Sequence, residues 1–269
     1  MEFDITLLKQ LVIDTAKQEL IPRFQRTDSN LKANGTLVTA ADLAIQQRLA
    51  ETLARLHPEI PLLGEEMPPE QQQRVMHSSD SGFWCLDPLD GTANFVAGMP
   101  CFAISLAYLQ QGETRLGIIY DPLRDECFHA QAGRGAWLNE HPLALDQTTS
   151  KLADCVAMVD FKRLPAGLAT HLATRPPFRS QRSIGSVALD WCWLAAGRLQ
   201  LYLHGGQRLW DYAAGRLIFA EAGGTYALSD GIYRSSGLTP DLRPKVARAA
   251  VNQQLFTLWA DWLERHAES

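Results

Sequence analysis

Cysteine is scarce and unpatterned in this 269-residue chain. Cys85, Cys101, Cys127, Cys155 and Cys192 are odd in number, and no two form a Cys-x-x-Cys pair. Their scatter argues against a disulfide framework and a thiolate zinc site, and the expected compartment is the reducing cytoplasm. Long apolar runs are missing as well. The most apolar stretch, residues 99–109, is too short to span a bilayer. The opening MEFDITLLKQ has no basic start leading into an apolar run, so neither a signal peptide nor a membrane role is expected. Positive charge is not in excess: 25 Lys and Arg stand against 30 Asp and Glu, a formal charge of -5. Such a balance leaves no basic footprint for nucleic acid, and the one arginine-rich stretch, residues 175–182, is interrupted by prolines. Repeats and low-complexity tracts are absent too. With 46% apolar and 20% charged residues, the chain is neither disordered nor collagen-like and can bury a sizeable core.

The length corresponds to roughly two domain equivalents. Leu7, Leu8, Leu11, Val12, Ala16 and Leu20 recur at helical steps, predicting an amphipathic helix over residues 3–20, stopped by Pro22. Residues 26–35 read as a loop or loose hairpin. A second helix is expected to start after Thr39 and run to Leu56, with Leu43, Ile45, Leu49, Leu53 and Leu56 on its buried side. Residues 65–81, rich in Pro, Gln and Ser, read as an exposed connection. Strand follows strand from Gly82 onward, at residues 83–86, 102–109, 115–120, 127–130 and 136–138, with Gln111-Gly112 as a hairpin turn. That succession predicts a largely antiparallel sheet. After Leu145 strands and helices alternate, at 155–160, 185–196, 199–203 and 211–222, the last capped by Gly223-Gly224. A division near residue 145 therefore separates an α+β half, 1–145, from an α/β half, 146–269.

Three acidic clusters lie at the end of a strand or the start of a helix. They are Gly64-Glu65-Glu66, the string Asp87-Pro88-Leu89-Asp90-Gly91-Thr92, and Trp210-Asp211. Ligands gather at strand ends in open α/β sheets, and carboxylates without neighbouring Cys or His suit a hard cation such as Mg²⁺. Each cluster alone has an ordinary structural reading. Glu65-Glu66 can be a solvated pair, Asp90-Gly91 a turn, Asp211 a helix N-terminal acid, and Asp42 the partner of Thr39 in a capping box.

Together, and in this order, the strings resemble the inositol monophosphatase family. The resemblance rests on Gly64-Glu65-Glu66, on the run from Asp87 through Ala93-Asn94-Phe95, and on Trp210-Asp211-Tyr212-Ala213-Ala214-Gly215. Thr39-Ala40-Ala41-Asp42 and Glu221-Ala222-Gly223-Gly224 add to it, so that it spans residues 5–255. It implies a layered α/β/α/β/α sandwich of the inositol monophosphatase and fructose-1,6-bisphosphatase type, an α/β fold, in a cytoplasmic homodimer. The activity implied is Mg²⁺-dependent hydrolysis of a small phosphate monoester, with two or three ions per site. The metal ligands would be Glu65, Asp87, Asp90, Asp211 and the carbonyl of Leu89. Gly91 and Thr92 would offer amides to the phosphate, Thr92 and Asp42 would orient an attacking water, and Glu66 would stand behind the metals. Four carboxylates need such cations before a dianionic phosphate can enter. No GxSxG motif offers a rival nucleophile, and Gly133-Arg134-Gly135 lacks the setting of a dinucleotide site.

On the substrate side the resemblance brings in Ser186, Asp190 and His204. Inositol-specific members carry a Glu seven residues before the last metal ligand, where this chain has His204 followed by Gly205-Gly206. A sugar or polyol phosphate is therefore the expected substrate, without strong selectivity for inositol phosphates. Two alternatives stand beside it. One is a bisphosphatase acting on fructose 1,6-bisphosphate or on a nucleotide such as NADP or adenosine 3′,5′-bisphosphate. The other is a non-catalytic regulatory protein of the same fold. Ala93-Asn94-Phe95 argues against the adenosine bisphosphate subgroup, and the complete ligand set against a dead site.

Overall fold

The computed structural model describes residues 3–25, 29–31, 37–78, 82–231 and 241–266. Helix α1 (Ile5–Thr15) starts where the Asp4 carboxylate accepts the Leu7 amide at 3.1 Å. It continues through a widened turn, Ala16–Leu20, into a tight turn, Ile21–Arg23, so Pro22 sits within the helical run's last turn rather than after it. Strands β1 (Ser29–Leu31) and β2 (Leu37–Thr39) pair antiparallel, which makes a hairpin of the polar stretch; residues 26–28 and 32–36 lie outside the described residues. Helix α2 (Ala40–Leu56) begins at Thr39 in a reciprocal capping box with Asp42. Its buried face is Ala41, Asp42, Ile45, Leu49 and Leu53. Leu43 and Leu56, expected inside, are exposed, as is Leu7 on α1. The stripe is narrower than the leucine spacing implied, because only one side of α2 meets the sheet.

Strand β3 (Leu62–Gly64) is followed by α3 (Pro69–Ser78), a helix where an irregular connection was expected. Then come β4 (Phe83–Asp90), the short α4 (Thr92–Ala97), β5 (Ala103–Gln110) and β6 (Glu113–Asp121). Strands β7 (Glu126–Gln131), β8 (Ala136–Leu138) and β9 (His141–Leu143) complete a seven-stranded sheet ordered β3-β4-β5-β6-β7-β8-β9. Every pair is antiparallel except β3 with β4. Both faces of this sheet are covered, and the strands show it by alternation. Trp84 and Leu86 of β4 join the core under α1 and α2, while Phe83 and Cys85 join the core on the other face.

The second half supplies β10 (Val156–Asp160), α5 (Ala166–Thr174), β11 (Ser180–Arg182) and α6 (Val187–Ala195). It continues with β12 (Leu201–Gln207), α7 (Leu209–Glu221), β13 (Thr225–Ser229), β14 (Lys245–Ala250) and α8 (Gln253–His266). Its sheet is ordered β11-β10-β12-β14-β13, with β10 parallel to both β11 and β12. Helices α6 and α7 are packed between the two sheets, and α5 and α8 cover the far face, giving five layers. One hydrophobic core runs from Leu63 and Phe83 of the first sheet through Trp191 and Phe219 to Trp259 of α8, so the two halves are joined by shared packing. Among the described residues, no helix is long and apolar enough to cross a membrane.

Candidate active site

The acidic string after Leu86 sits on the last residues of β4. The ladder to β5 is irregular between Asp87 and Asp90, so it does not hold both residues in one regular alternation. The Asp87 carboxylate accepts the Leu89 amide at 3.0 Å, closing the Pro88 turn upon itself. Asp90 reaches across to the start of α6. There it accepts the Ser186 hydroxyl in a short bond, the Ala188 amide at 2.9 Å and the Val187 amide at 3.2 Å. Asp211, in the first turn of α7, accepts the Arg208 amide at 2.8 Å. Oxygens of Asp87, Asp90 and Asp211 all lie within 4.8 Å of one another. The bulge, the first turn of α6 and the first turn of α7 thus bring two strand-end acids and one distant acid to one point.

Three carboxylates this close repel. Burial, then the charges of Glu65, Asp90 and Asp211, pushes Asp87 well above the usual carboxylate range. Burial likewise raises Asp211, with Asp90 and Glu65 adding to it. Asp90 is raised to about 6 by burial, while its bonds from Ser186, Ala188 and Val187 pull it back down. Glu65 follows β3, where its amide donates to the Leu86 carbonyl at 3.1 Å. Its charge is felt by all three aspartates, although its oxygens are not part of the tight triad. An all-oxygen set that resists its own ionisation fits a hard divalent cation, which removes the repulsion by binding.

Gly91 and Thr92 open α4. Gly91 takes a left-handed conformation, φ 91°, and a Cβ there would press on the Cys101 carbonyl at 2.8 Å. The Thr92 hydroxyl donates to the Leu89 carbonyl at 3.0 Å and lies 3.4 Å from Asp42 Oδ1. Asp42 is buried, its other oxygen accepting the Thr39 amide at 2.7 Å and hydroxyl at 2.6 Å. Burial raises its pKa against those bonds. The capping contacts of Asp42 and its approach to Thr92 therefore use different oxygens, one for each. The Glu66 amide donates to Gln46 Oε1 on α2 at 3.0 Å. Gln72 of α3 donates to the carbonyls of Gly64, at 2.9 Å, and Glu65, at 3.2 Å, fixing the acidic turn. Sequence reasoning missed Gln72 together with its helix; Pro69 followed by Glu70, a helix-opening pair, was the available signal.

The substrate-side residues are arranged otherwise than expected. Ser186 caps α6 and serves Asp90. Asp190, one turn later, is buried and turned into the protein, where Tyr202 donates to its Oδ2 at 3.1 Å. Gln207 donates to the Tyr202 hydroxyl at 2.5 Å and accepts the Trp191 indole N–H at 3.0 Å. Burial, then the charge of Asp90, pushes Asp190 well above the usual range. His204 is buried in β12 with both ring nitrogens engaged. Nδ1 accepts the Gly206 amide at 3.1 Å, so Nε2 carries the proton it directs at Asp160 Oδ2, 3.0 Å away. Direct substrate contact by Asp190 or His204 would require breaking these bonds; Asp160, next to the neighbouring strand end, was not singled out from the sequence, and nothing local marks it.

Helices and sheets in five layers, with two strand-end carboxylates and one from the first turn of α7 gathered at one point, define a layered α/β protein with an all-oxygen site suited to a hard cation. The comparisons narrow the class. The model of the inositol monophosphatase family matches residues 2–262, and the chain belongs to that family. It is 33% identical over 241 residues to the Nus factor SuhB of Pasteurella multocida, covering 86% of this chain and 88% of the relative. It is 31% identical over 268 residues to a fructose-1,6-bisphosphatase/inositol-1-monophosphatase of Thermotoga maritima, covering 94% and 97%. Among solved structures, a Thermotoga maritima IMPase superposes with a TM-score of 0.83 at 25% identity, over 98% of each chain. The protein is a phosphoric monoester hydrolase.

Proposed function

We propose that the protein hydrolyses the phosphate monoester of a small sugar or polyol, inositol phosphates among them, using Mg²⁺. The observation that supports this reading most directly is the triad of Asp87, Asp90 and Asp211 oxygens within 4.8 Å. With Glu65 and the Leu89 carbonyl, these residues would hold two or three ions. Bound there, Mg²⁺ supplies the positive charge that admits a phosphate and stabilises its in-line displacement by water.

The chain's own residues then do the following. Gly91, without a side chain, lets the phosphate approach the backbone at the start of α4. Thr92 presents a hydroxyl that Asp42 can accept, a relay suited to holding and deprotonating the attacking water. Glu66 stands behind the ligands on a loop tied to α2. Asp90 is kept in place by Ser186, and Asp190 and His204 act through Tyr202 and Asp160. The first half, 1–145, brings most of the ligands, and the second, 146–269, brings Asp211 and the substrate side.

A cytoplasmic location is supported by all five cysteines being unpaired. A homodimer is proposed on family membership. A purely regulatory role, to which the name of the Pasteurella relative draws attention, is disfavoured by the complete carboxylate set. Phosphate release from inositol 1-phosphate, glycerol 2-phosphate, glucose 6-phosphate and fructose 1,6-bisphosphate tests the proposal. Turnover with Mg²⁺ that is abolished by EDTA is expected; no turnover on any monoester would overturn it.

A further inference from the structure

The three aspartates are braced against one another from several layers, and one brace is a glutamine. Asp90 is held by the first turn of α6 through Ser186, Val187 and Ala188. Ser105 of β5, paired opposite Asp87, donates its hydroxyl to the Trp210 carbonyl at 3.2 Å, joining that strand to the residue before Asp211. The remaining side lies between α6, which holds Asp90, and the turn into α7, which carries Asp211. Gln207 closes it. It is the last residue of β12, is fully buried, and directly precedes Arg208, whose amide donates to the Asp211 carboxylate at 2.8 Å.

The Gln207 amide has one orientation that satisfies its neighbours. An indole N–H donates and cannot accept, so the atom facing Trp191 Nε1 at 3.0 Å is Oε1. Nε2 is thereby turned to the Tyr202 hydroxyl at 2.5 Å, which in turn donates to Asp190 Oδ2 at 3.1 Å. Trp191 is itself held firmly. It is fully buried, edge-on to the Tyr202 ring at 5.0 Å, and a Cβ at Gly215 would fall 2.5 Å from its own Cβ. Gly215 lies one turn beyond Asp211 on α7, so α6 and α7 touch at backbone distance just behind the cluster. From the other side, Arg163 Nη1 donates to the Gly206 carbonyl at 2.6 Å and pins the residue ahead of Gln207. In this dry layer an unpaired amide or indole N–H is costly, so the bonds and the positions of their owners are kept together.

From this geometry we infer that Gln207 is a positioning residue for the cation site. Its amide, clamped between Trp191 and Tyr202, fixes the turn that carries Asp211 against the helix that holds Asp90. It thereby sets the spacing of two carboxylates that a cation must fit, while bonding to neither of them. Groups that hold ligands in place from behind typically matter about ten- to a hundredfold in metal affinity. Mg²⁺ demands a near-octahedral arrangement of oxygens, whereas the larger Ca²⁺ accepts irregular ones, so a loosened spacing penalises Mg²⁺ more. The role rests on the cation reading of the proposed function and goes beyond it, to a residue outside the acidic strings.

The test is calorimetric titration of the metal-free protein with Mg²⁺ and, separately, with Ca²⁺. Gln207→Met keeps the length of the side chain and loses the amide; it is expected to weaken Mg²⁺ binding about tenfold and Ca²⁺ binding less. Tyr202→Phe removes the partner of Nε2 at nearly constant volume and should weaken Mg²⁺ binding in the same direction. The Mg²⁺ concentration for half-maximal phosphate release should rise in step, with the substrate KM at saturating Mg²⁺ unmoved. Asn252→Ala is the control. It removes a buried side chain at the start of α8 that accepts the Leu255 amide and donates to the Thr149 carbonyl, both at 2.8 Å. It should lose stability in urea and bind Mg²⁺ as the wild type does. Wild-type Mg²⁺ affinity in either Gln207→Met or Tyr202→Phe, whichever folds, or an equal loss in Asn252→Ala, would overturn the inference while leaving the cation site intact. A wild-type protein that binds no Mg²⁺ would instead remove the cation reading itself, and this role with it.

Discussion

The Ser186 hydroxyl donates to the Asp90 carboxylate across ninety-six positions of sequence. With the amides of Val187 and Ala188 donating to the same group, the end of a strand in the first sheet is tied to the first turn of the helix between the sheets. The carboxylate cluster is thereby a junction between the first sheet and the helix layer beneath it. Losing the Asp90 charge should remove both a proposed metal ligand and this tie.

Asp90→Asn is therefore expected to lower turnover by about a hundredfold or more at saturating Mg²⁺, the scale of losing a main electrostatic stabiliser. Steady-state phosphate release measures it. Near-wild-type activity would remove Asp90 from the site.

Thr92 and Asp42 should behave as a unit. Thr92→Ala and Asp42→Asn are each expected to slow turnover, and the double variant to be little worse than the more damaging single one. Rapid quench should trap no phosphorylated Asp or Thr. A covalent phosphoryl-enzyme, or full additivity, would contradict the water-orienting pair.

The carboxylate cluster predicts an unusual pH dependence of stability. Asp90 titrates at about 6 in the folded protein, and Asp87 and Asp211 are also raised. Raised folded values contribute stability that is complete below the ordinary carboxylate range and is lost as pH rises through about 6. Without metal, the melting temperature should fall between pH 5 and pH 8. Mg²⁺ should reverse this, with a larger stabilisation at pH 8 than at pH 5; ligand at a hundredfold over Kd is worth about 2.7 kcal/mol. Equal Mg²⁺ stabilisation at both pH values would count against the cluster as the cation site.

His204 should prove to be a structural group first. His204→Ala leaves the Gly206 amide and one oxygen of Asp160 without their partner, and a loss of about 2 kcal/mol is expected in urea denaturation. His204→Glu should also destabilise, because it sets a second carboxylate against Asp160. Either variant as stable as the wild type would show that these bonds contribute nothing.

Much of this was legible beforehand for local reasons. The capping of α2 by Thr39 and Asp42 depends on residues three apart, and the hairpin at Gln111-Gly112 on a turn dipeptide. The succession of strands after Gly82 follows from alternation and turn residues. Helix α3 was not legible because Gln71, Gln72 and Gln73 fill its middle and its apolar side chains, Val75 and Met76, are few. Leu43 and Leu56 were misplaced because spacing shows which residues share a face, not how wide a strip the sheet covers.

By itself the sequence determined the acidic strings, their places at strand and helix ends, and through them the family and the affinity for a hard cation. Those properties reside in residue types and short spacings. Only the tertiary structure decided which oxygens meet, since Asp90, Ser186 and Asp211 are distant along the chain and converge through the packing of α6 and α7 between two sheets. It also gave both ring nitrogens of His204 partners inside the protein, the Gly206 amide and Asp160, and set the Arg163 guanidinium on the Gly206 carbonyl. A side chain's partner is settled by the neighbouring strand, and neighbouring strands here are separated by some forty residues that carry no local record of the pairing.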